Sequence, residues 1–216
     1  MQKQQFAPVK TQYKGYSFRS RLEAKWAVFF DTLGVRWEYE PDGYPLRGGE
    51  VYLPDFLIRN TSIGSLWVEV KGIMTEKDAR KIRDFAFSSD DLEFEGPDRA
   101  KIFVVGNMPY GDDFDELLDD VSETENSDPF GLTFNLRTVR RSFRPGMPVL
   151  LNSGQLGIWC VDWDILNGCK DGVDVERTLN AYKAARQARF EHGETPPTPF
   201  KMKTVVRDEC GRMRIV

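Results

Sequence analysis

From Ser20 onward the apolar residues Leu22, Trp26, Phe29, Phe30 and Leu33 recur at helical spacing. They predict a helix closed by Gly34, a residue suited to the left-handed C-terminal cap. "VRWEYEP" predicts a strand stopped by Pro41, and "DGYPLRGGE" a loop punctuated by Gly and Pro. Two β-rich runs follow, "VYLPDFLI" and "LWVEVKG", joined by "RNTSIGS", whose composition suits a hairpin loop. In "TEKDARKIRDFAF", Ala79, Ile82, Phe85 and Ala86 form a second helical stripe behind Thr75 as N-cap. "KIFVVG", residues 101 to 106, has the unbroken apolar character of a buried strand. The predicted order is helix, three strands, helix, strand.

Beyond residue 107 the pattern is less regular. "DDFDELLDDV" predicts a short helix running into a disordered loop, and "LTFNLRTVRRSFR" one or two strands. "LGIWCVDWDIL" predicts another buried strand, and "DVERTLNAYKAARQARFEHG" a helix with Val175, Leu179, Tyr182 and Ala185 inward. "KMKTVVRDECGRMRIV" is expected to close as a hairpin about "DECG". The expected class is α/β, with a core over residues 1–106 and a mixed, β-rich C-terminal extension over 107–216.

Composition narrows the chemistry. One histidine, His192, excludes His-Asn-His nucleases, HExxH metalloproteases and Cys2His2 zinc sites, each of which needs at least two. Cys160, Cys169 and Cys210 form no CxxC pair, and their odd number suits free thiols in a reducing compartment. No apolar run approaches the roughly 18 residues that span a bilayer, so the expectation is a soluble, cytoplasmic protein without a membrane partner. Catalysis, if present, then runs on carboxylates, lysine and a metal ion.

The net charge of -4 taken alone opposes a nucleic-acid partner, but the charges are segregated. Residues 111–128 hold nine acids and no Lys or Arg, which leaves the remainder of the chain net basic. Residues 1–29 carry Lys3, Lys10, Lys14, Arg19, Arg21 and Lys25 against a single acid, Glu23. It is the local field that a phosphate meets.

Within "YLPDFLIRNTSIGSLWVEVKG" three charged residues, Asp55, Glu69 and Lys71, sit among apolar strand residues, where charge is tolerated only when paired or holding a metal. Residues two apart on a strand share a face, so Glu69 and Lys71 project together, away from Val68 and Val70. Antiparallel pairing of the two runs brings Asp55 beside Glu69, and Pro54, which cannot donate to a ladder, marks an edge or bulge there. Two adjacent carboxylates and an ammonium suit a hard cation such as Mg2+ or Mn2+, with Lys71 facing the water and the phosphate. Glu23 has two readings: part of this site, or the return arm of a capping box with Ser20. Tyr39 and Trp67 are read as core aromatics, with base stacking as the rival account.

Pro54-Asp55, then Glu69-Val70-Lys71 after a hairpin, behind a helix carrying Glu23, resembles the PD-(D/E)XK nuclease superfamily, and in particular its phage-borne and transposon-associated endonuclease domains. The resemblance covers about residues 13–106 and implies a restriction-endonuclease-like core. It implies Asp55 and Glu69 as metal ligands, with the Val70 carbonyl as a further one, Lys71 as the catalytic lysine, and Glu23 completing the metal or water shell. DNA is the implied partner, with Arg19, Arg21, Lys25, Arg140 and Arg141 as candidate phosphate contacts, and a homodimer as a candidate assembly. The alternative expectation is a catalytically inactive DNA-binding or assembly protein of the same fold.

Overall fold

A computed structural model describes residues 9–62, 64–88, 101–127, 135–137, 143–160, 172–190, 205–207 and 213–215. Its first element is a hairpin of β1 (Thr11–Tyr13) and β2 (Tyr16–Phe18) that the apolar pattern did not suggest. Its turn residues Lys14 and Gly15 have φ of 48° and 83°, the paired positive values that a tight two-residue turn requires. Helix α1 (Arg21–Leu33) follows, with Ser20 Oγ accepting the Glu23 N–H at 3.1 Å. At its far end Gly34 takes φ 76° and donates its N–H to the Asp31 carbonyl. The expected stripe is buried at Trp26, Phe29, Phe30 and Leu33.

The run "VYLPDFLI" is not one strand. After β3 (Glu38–Tyr39), a small hairpin forms from β4 (Tyr44–Pro45) and β5 (Val51–Tyr52), and β6 (Phe56–Thr61) begins only after Pro54 and Asp55. β6 pairs antiparallel with β7 (Gly64–Val70), Phe56 opposite Val68, which is the expected hairpin. Helix α2 (Glu76–Ser88) crosses over to β8 (Lys101–Val105), which lies parallel to β7.

Downstream lie α3 (Phe114–Ser127), β9 (Asn135–Arg137), β10 (Phe143–Leu150), β11 (Leu156–Cys160) and α4 (Val175–Gln187). α3 is longer than expected: the acidic stretch stays helical to Ser127 instead of giving way to a loop after "DDFDELLDDV". α4 forms within the expected run but ends at Gln187, short of the "ARF" of residues 188–190 that the pattern reads as helical. Val175, read as inward, is 40% exposed, while Thr178 and Ala181 are buried in addition to Tyr182 and Ala185. The C-terminal strands β12 (Val205–Arg207) and β13 (Met213–Ile215) pair antiparallel, as the "DECG" hairpin predicted.

Seven strands form one sheet in the order β11-β10-β9-β8-β7-β6-β3. β11 also touches β6 through the parallel pair Leu156–Thr61, although four strands separate them, so the sheet curls back on itself. The class is mixed α/β. Alternation along each strand splits the apolar residues between two cores. Phe56, Val68, Val70, Phe103 and Val105 pack with α1 and α4, whereas Leu57, Trp67, Ile102 and Val104 pack with Ala79, Ile82, Phe85 and Ala86 of α2. The first core spans the expected boundary at residue 106, since Met147, Val149, Ile158 and Tyr182 share it with α1. The Tyr182 ring lies 4.5 Å from Phe29, and its hydroxyl donates to the Pro148 carbonyl at 2.9 Å.

Among the described residues no helix is long and apolar enough to cross a membrane. Arg140, Arg141, Cys169, His192 and Cys210 lie outside the described residues.

Candidate catalytic site

The end of β7 carries the site. Val68 and Val70 are buried in the core under α1, and Glu69 is buried on the opposite face at 2% exposure. Lys71 Nζ lies 2.8 Å from Glu69 Oε1 and 3.7 Å from Asp78 Oδ1, in the first turn of α2. The Lys71 N–H bonds to the Val105 carbonyl of β8, so by alternation the Val70 N–H faces the β6 side. Continuing the β6–β7 register sets Pro54, which has no N–H, opposite Val70. There the Val70 N–H donates to Asp55 Oδ2 at 2.7 Å. The backbone amide between Glu69 and Lys71 thus fixes the carboxylate of Asp55, itself 1% exposed.

A second layer comes from the start of α1. Glu23 Oε1 accepts from Ser20 Oγ at 2.7 Å, and Oε2 accepts from the Tyr39 hydroxyl at 2.6 Å and the Arg19 N–H at 3.0 Å. The capping interaction is therefore present, with Glu23 reaching Ser20 Oγ and the Arg19 amide rather than the Ser20 amide. Arg19 extends its fork over the site, pairing Nη2 with Asp55 Oδ1 and Nε with Glu40 Oε1, the latter at 2.8 Å. Glu40 has a φ of 44°, a left-handed backbone that costs a non-glycine residue about 1 kcal/mol, and its N–H is anchored on the Asp55 carbonyl at 2.9 Å.

Burial, then the charges of Glu69 and Glu23, hold the Asp55 carboxyl well above the usual carboxylate range, against the pull of the Val70 N–H and Arg19. Burial alone would weaken the Lys71 ammonium, but Glu69, Asp55 and Asp78 outweigh it and raise its pKa. Lys71 is thus held protonated, which suits a charge donor to phosphate rather than a proton acceptor. Arg19 is likewise made more basic, burial being outweighed by Asp55, Glu40 and Glu23. The buried Tyr52 hydroxyl, beside Glu69, is pushed up by burial and then by that carboxylate.

Whether these residues fit a cation can be judged from the donors. Glu69 Oε2 and the Tyr52 hydroxyl are buried and interact with each other without forming a close hydrogen bond, so the carboxylate oxygen is only weakly satisfied at this depth and suits a cation. Among the described residues no three Asp, Glu, His or Cys side chains form a ready cluster, and the end of β7 brings together the two carboxylates Asp55 and Glu69. Two carboxylates suit Mg2+, which takes the rest of its shell from water and substrate phosphate. Glu23, with both oxygens engaged, holds Tyr39 and the Arg19 backbone in place.

The expected phosphate contacts divide. Arg19 lies inside the site, Arg21 is exposed on the first turn of α1, and Lys25 is half-buried and donates to the Arg186 carbonyl of α4 at 3.4 Å. Burial, then Arg21, lowers the pKa of Lys25. Trp67 and Tyr39 are packed, Tyr39 at 4.5 Å from Phe18. Sequence reasoning missed Glu40, Tyr52 and Asp78 as neighbours of the site. Only Asp78 left a signal, the Thr75-x-x-Asp78 spacing of a helix cap. Comparison with family models, with curated proteins and with solved structures gives no match.

Proposed function

We propose that the protein is a Mg2+- or Mn2+-dependent DNA endonuclease with a restriction-endonuclease-like core, acting in phage DNA processing or recombination. In support, the chain runs α1, β3, the β4–β5 hairpin, β6, β7, α2 and β8, so five strands lie between the two helices where three were expected, and β3, β6 and β7 are the ones in the main sheet. The observation that carries the reading is the convergence of Asp55, Glu69 and Lys71, joined through the Val70 amide. Asp55 and Glu69 would hold the ion, with the Val70 carbonyl on the same edge. When bound, the ion supplies positive charge to the phosphate and lowers the pKa of an attacking water. Lys71, protonated, offers N–H donors to the phosphate oxygens as negative charge grows on them. Asp78 keeps Lys71 aimed along the start of α2. Burial of the carboxylates keeps competing water off them and strengthens each interaction.

The test is relaxation of supercoiled plasmid in Mg2+ or Mn2+ by the wild type, Asp55→Ala and Lys71→Ala. Nicking by the wild type that both variants lose supports the reading, and wild type that cuts no DNA form with either ion refutes it.

A second reading has an observation of its own. Arg19 and Lys71 already neutralise Asp55 and Glu69, as in a protein that has kept the fold to bind DNA without cutting it. DNA affinity unaffected by divalent ions, with no cleavage, would favour it.

A further inference from the structure

Arg19 reaches the site from outside. Its side chain is 53% exposed while that of Asp55 is 2% exposed, so the guanidinium sits over a buried carboxylate from the solvent side. Of the two Asp55 oxygens, Oδ2 is held by the Val70 amide and Oδ1 by Arg19. The base of the Arg19 side chain is pinned, because its N–H is shared between Glu23 Oε2 at 3.0 Å and the Tyr39 hydroxyl at 3.3 Å. Its head pairs with Asp55 and with the half-buried Glu40, beside the Tyr39 hydroxyl. A cation approaching Asp55 therefore meets a positive group already on the oxygen it needs.

We propose that Arg19 is a built-in counter-ion of Asp55, displaced by the arriving divalent cation and transferred to a phosphate of the substrate backbone. The proposal rests on the nuclease reading and adds a control to the same site. A guanidinium suits both positions: its planar fork bridges Asp55 and Glu40 together, and after release grips a phosphate in the same two-pronged way. A lysine has no such fork. Because the ion binds only the fraction of molecules in which Asp55 is free, Arg19 lowers the apparent ion affinity. Phosphate binding, by taking Arg19 away, raises it. Ion and DNA then bind cooperatively, and by linkage each tightens the other equally.

Free Mn2+ measured by electron paramagnetic resonance tests this with the wild type and Arg19→Gln, each alone and with a short DNA duplex. The expected result is that Arg19→Gln binds Mn2+ about tenfold tighter than the wild type. DNA should tighten Mn2+ binding more in the wild type than in the variant, where only direct contact between ion and phosphate couples the two; an equal tightening in both overturns the proposal. An Arg19→Gln protein with wild-type circular dichroism that binds Mn2+ equally or more weakly overturns the proposal alone. A wild type that binds no Mn2+, with or without DNA, overturns the nuclease reading together with it. Should Arg19→Gln fail to fold, the wild type carries the test: the Arg19 Nε–Hε resonance, identified by its loss in Arg19→Lys, should shift on adding Mg2+. A resonance unmoved at saturating Mg2+ overturns the proposal.

Discussion

Lys71 Nζ lies 2.8 Å from Glu69 Oε1, so the ammonium neutralises the buried acid two residues before it on the same strand face. Lys71→Met should lower cleavage at least about 100-fold, the scale of losing one preorganised charge donor to a transition state. It also strands Glu69 without its cation, so the melting temperature should fall in EDTA and recover in part with Mn2+. Plasmid nicking and a thermal melt check the two effects. A melt indifferent to Mn2+ would show that Glu69 takes no part in ion binding.

Asp55 gives a pH dependence of definite sign. Its carboxyl is held above the ordinary value of about 4 by burial and by Glu69 and Glu23, so ionising it costs the folded chain more than the unfolded one. Its contribution to stability is fully present below that ordinary value and is lost as pH rises through the folded one. Asp55→Asn cannot ionise. In EDTA the melting temperature of the variant minus that of the wild type should be larger at pH 8 than at pH 5, and equal differences would mean that the carboxyl titrates normally.

Tyr39→Phe keeps the ring against Phe18 and Phe56 and removes the O–H donated to Glu23 at 2.6 Å, together with the weaker acceptor that the hydroxyl offers the Arg19 N–H at 3.3 Å. A hydrogen bond to a carboxylate in this half-buried setting contributes about 1.5 kcal/mol, so urea unfolding should show a loss of that order. A loss below about 0.5 kcal/mol would mean that water replaces the hydroxyl.

The core that supports the site is not local to residues 1–106. Tyr182 of α4 packs on Trp26 and Phe29 of α1, and a large aromatic truncated in a core costs about 3–5 kcal/mol. Tyr182→Ala should therefore destabilise by that amount. A fragment of residues 1–106 should melt without cooperativity by circular dichroism. A sharp melt of the fragment would make the first half an independent unit.

What the sequence disclosed followed from periodicity and end signals. α1 was legible because its stripe, Ser20 and Gly34 all agree, and β6 and β7 because turn-forming residues separate two β-rich runs. β10 was hidden because Pro145 and Pro148 argue against a strand, yet they sit opposite Asn135 of β9 and Ile158 of β11. The Pro148 carbonyl accepts from Tyr182, a partner 34 residues away that no local window contains. Within the site, Asp55, Glu69 and Lys71 were legible because charge in an apolar run is anomalous. Arg19 was legible only as a positive residue, since its pairing with Asp55 spans 36 positions and depends on how α1 meets β6. Glu40 was hidden because its left-handed backbone has no glycine to announce it.

The Asp55 carboxylate closes the sheet where proline leaves the ladder incomplete, so one main-chain amide, that of Val70, answers directly to a side chain of the site. Hydrogen–deuterium exchange at that single nitrogen becomes a gauge of how firmly Asp55 is held. The cleft thus carries its own indicator, readable in a protein that has never met its substrate.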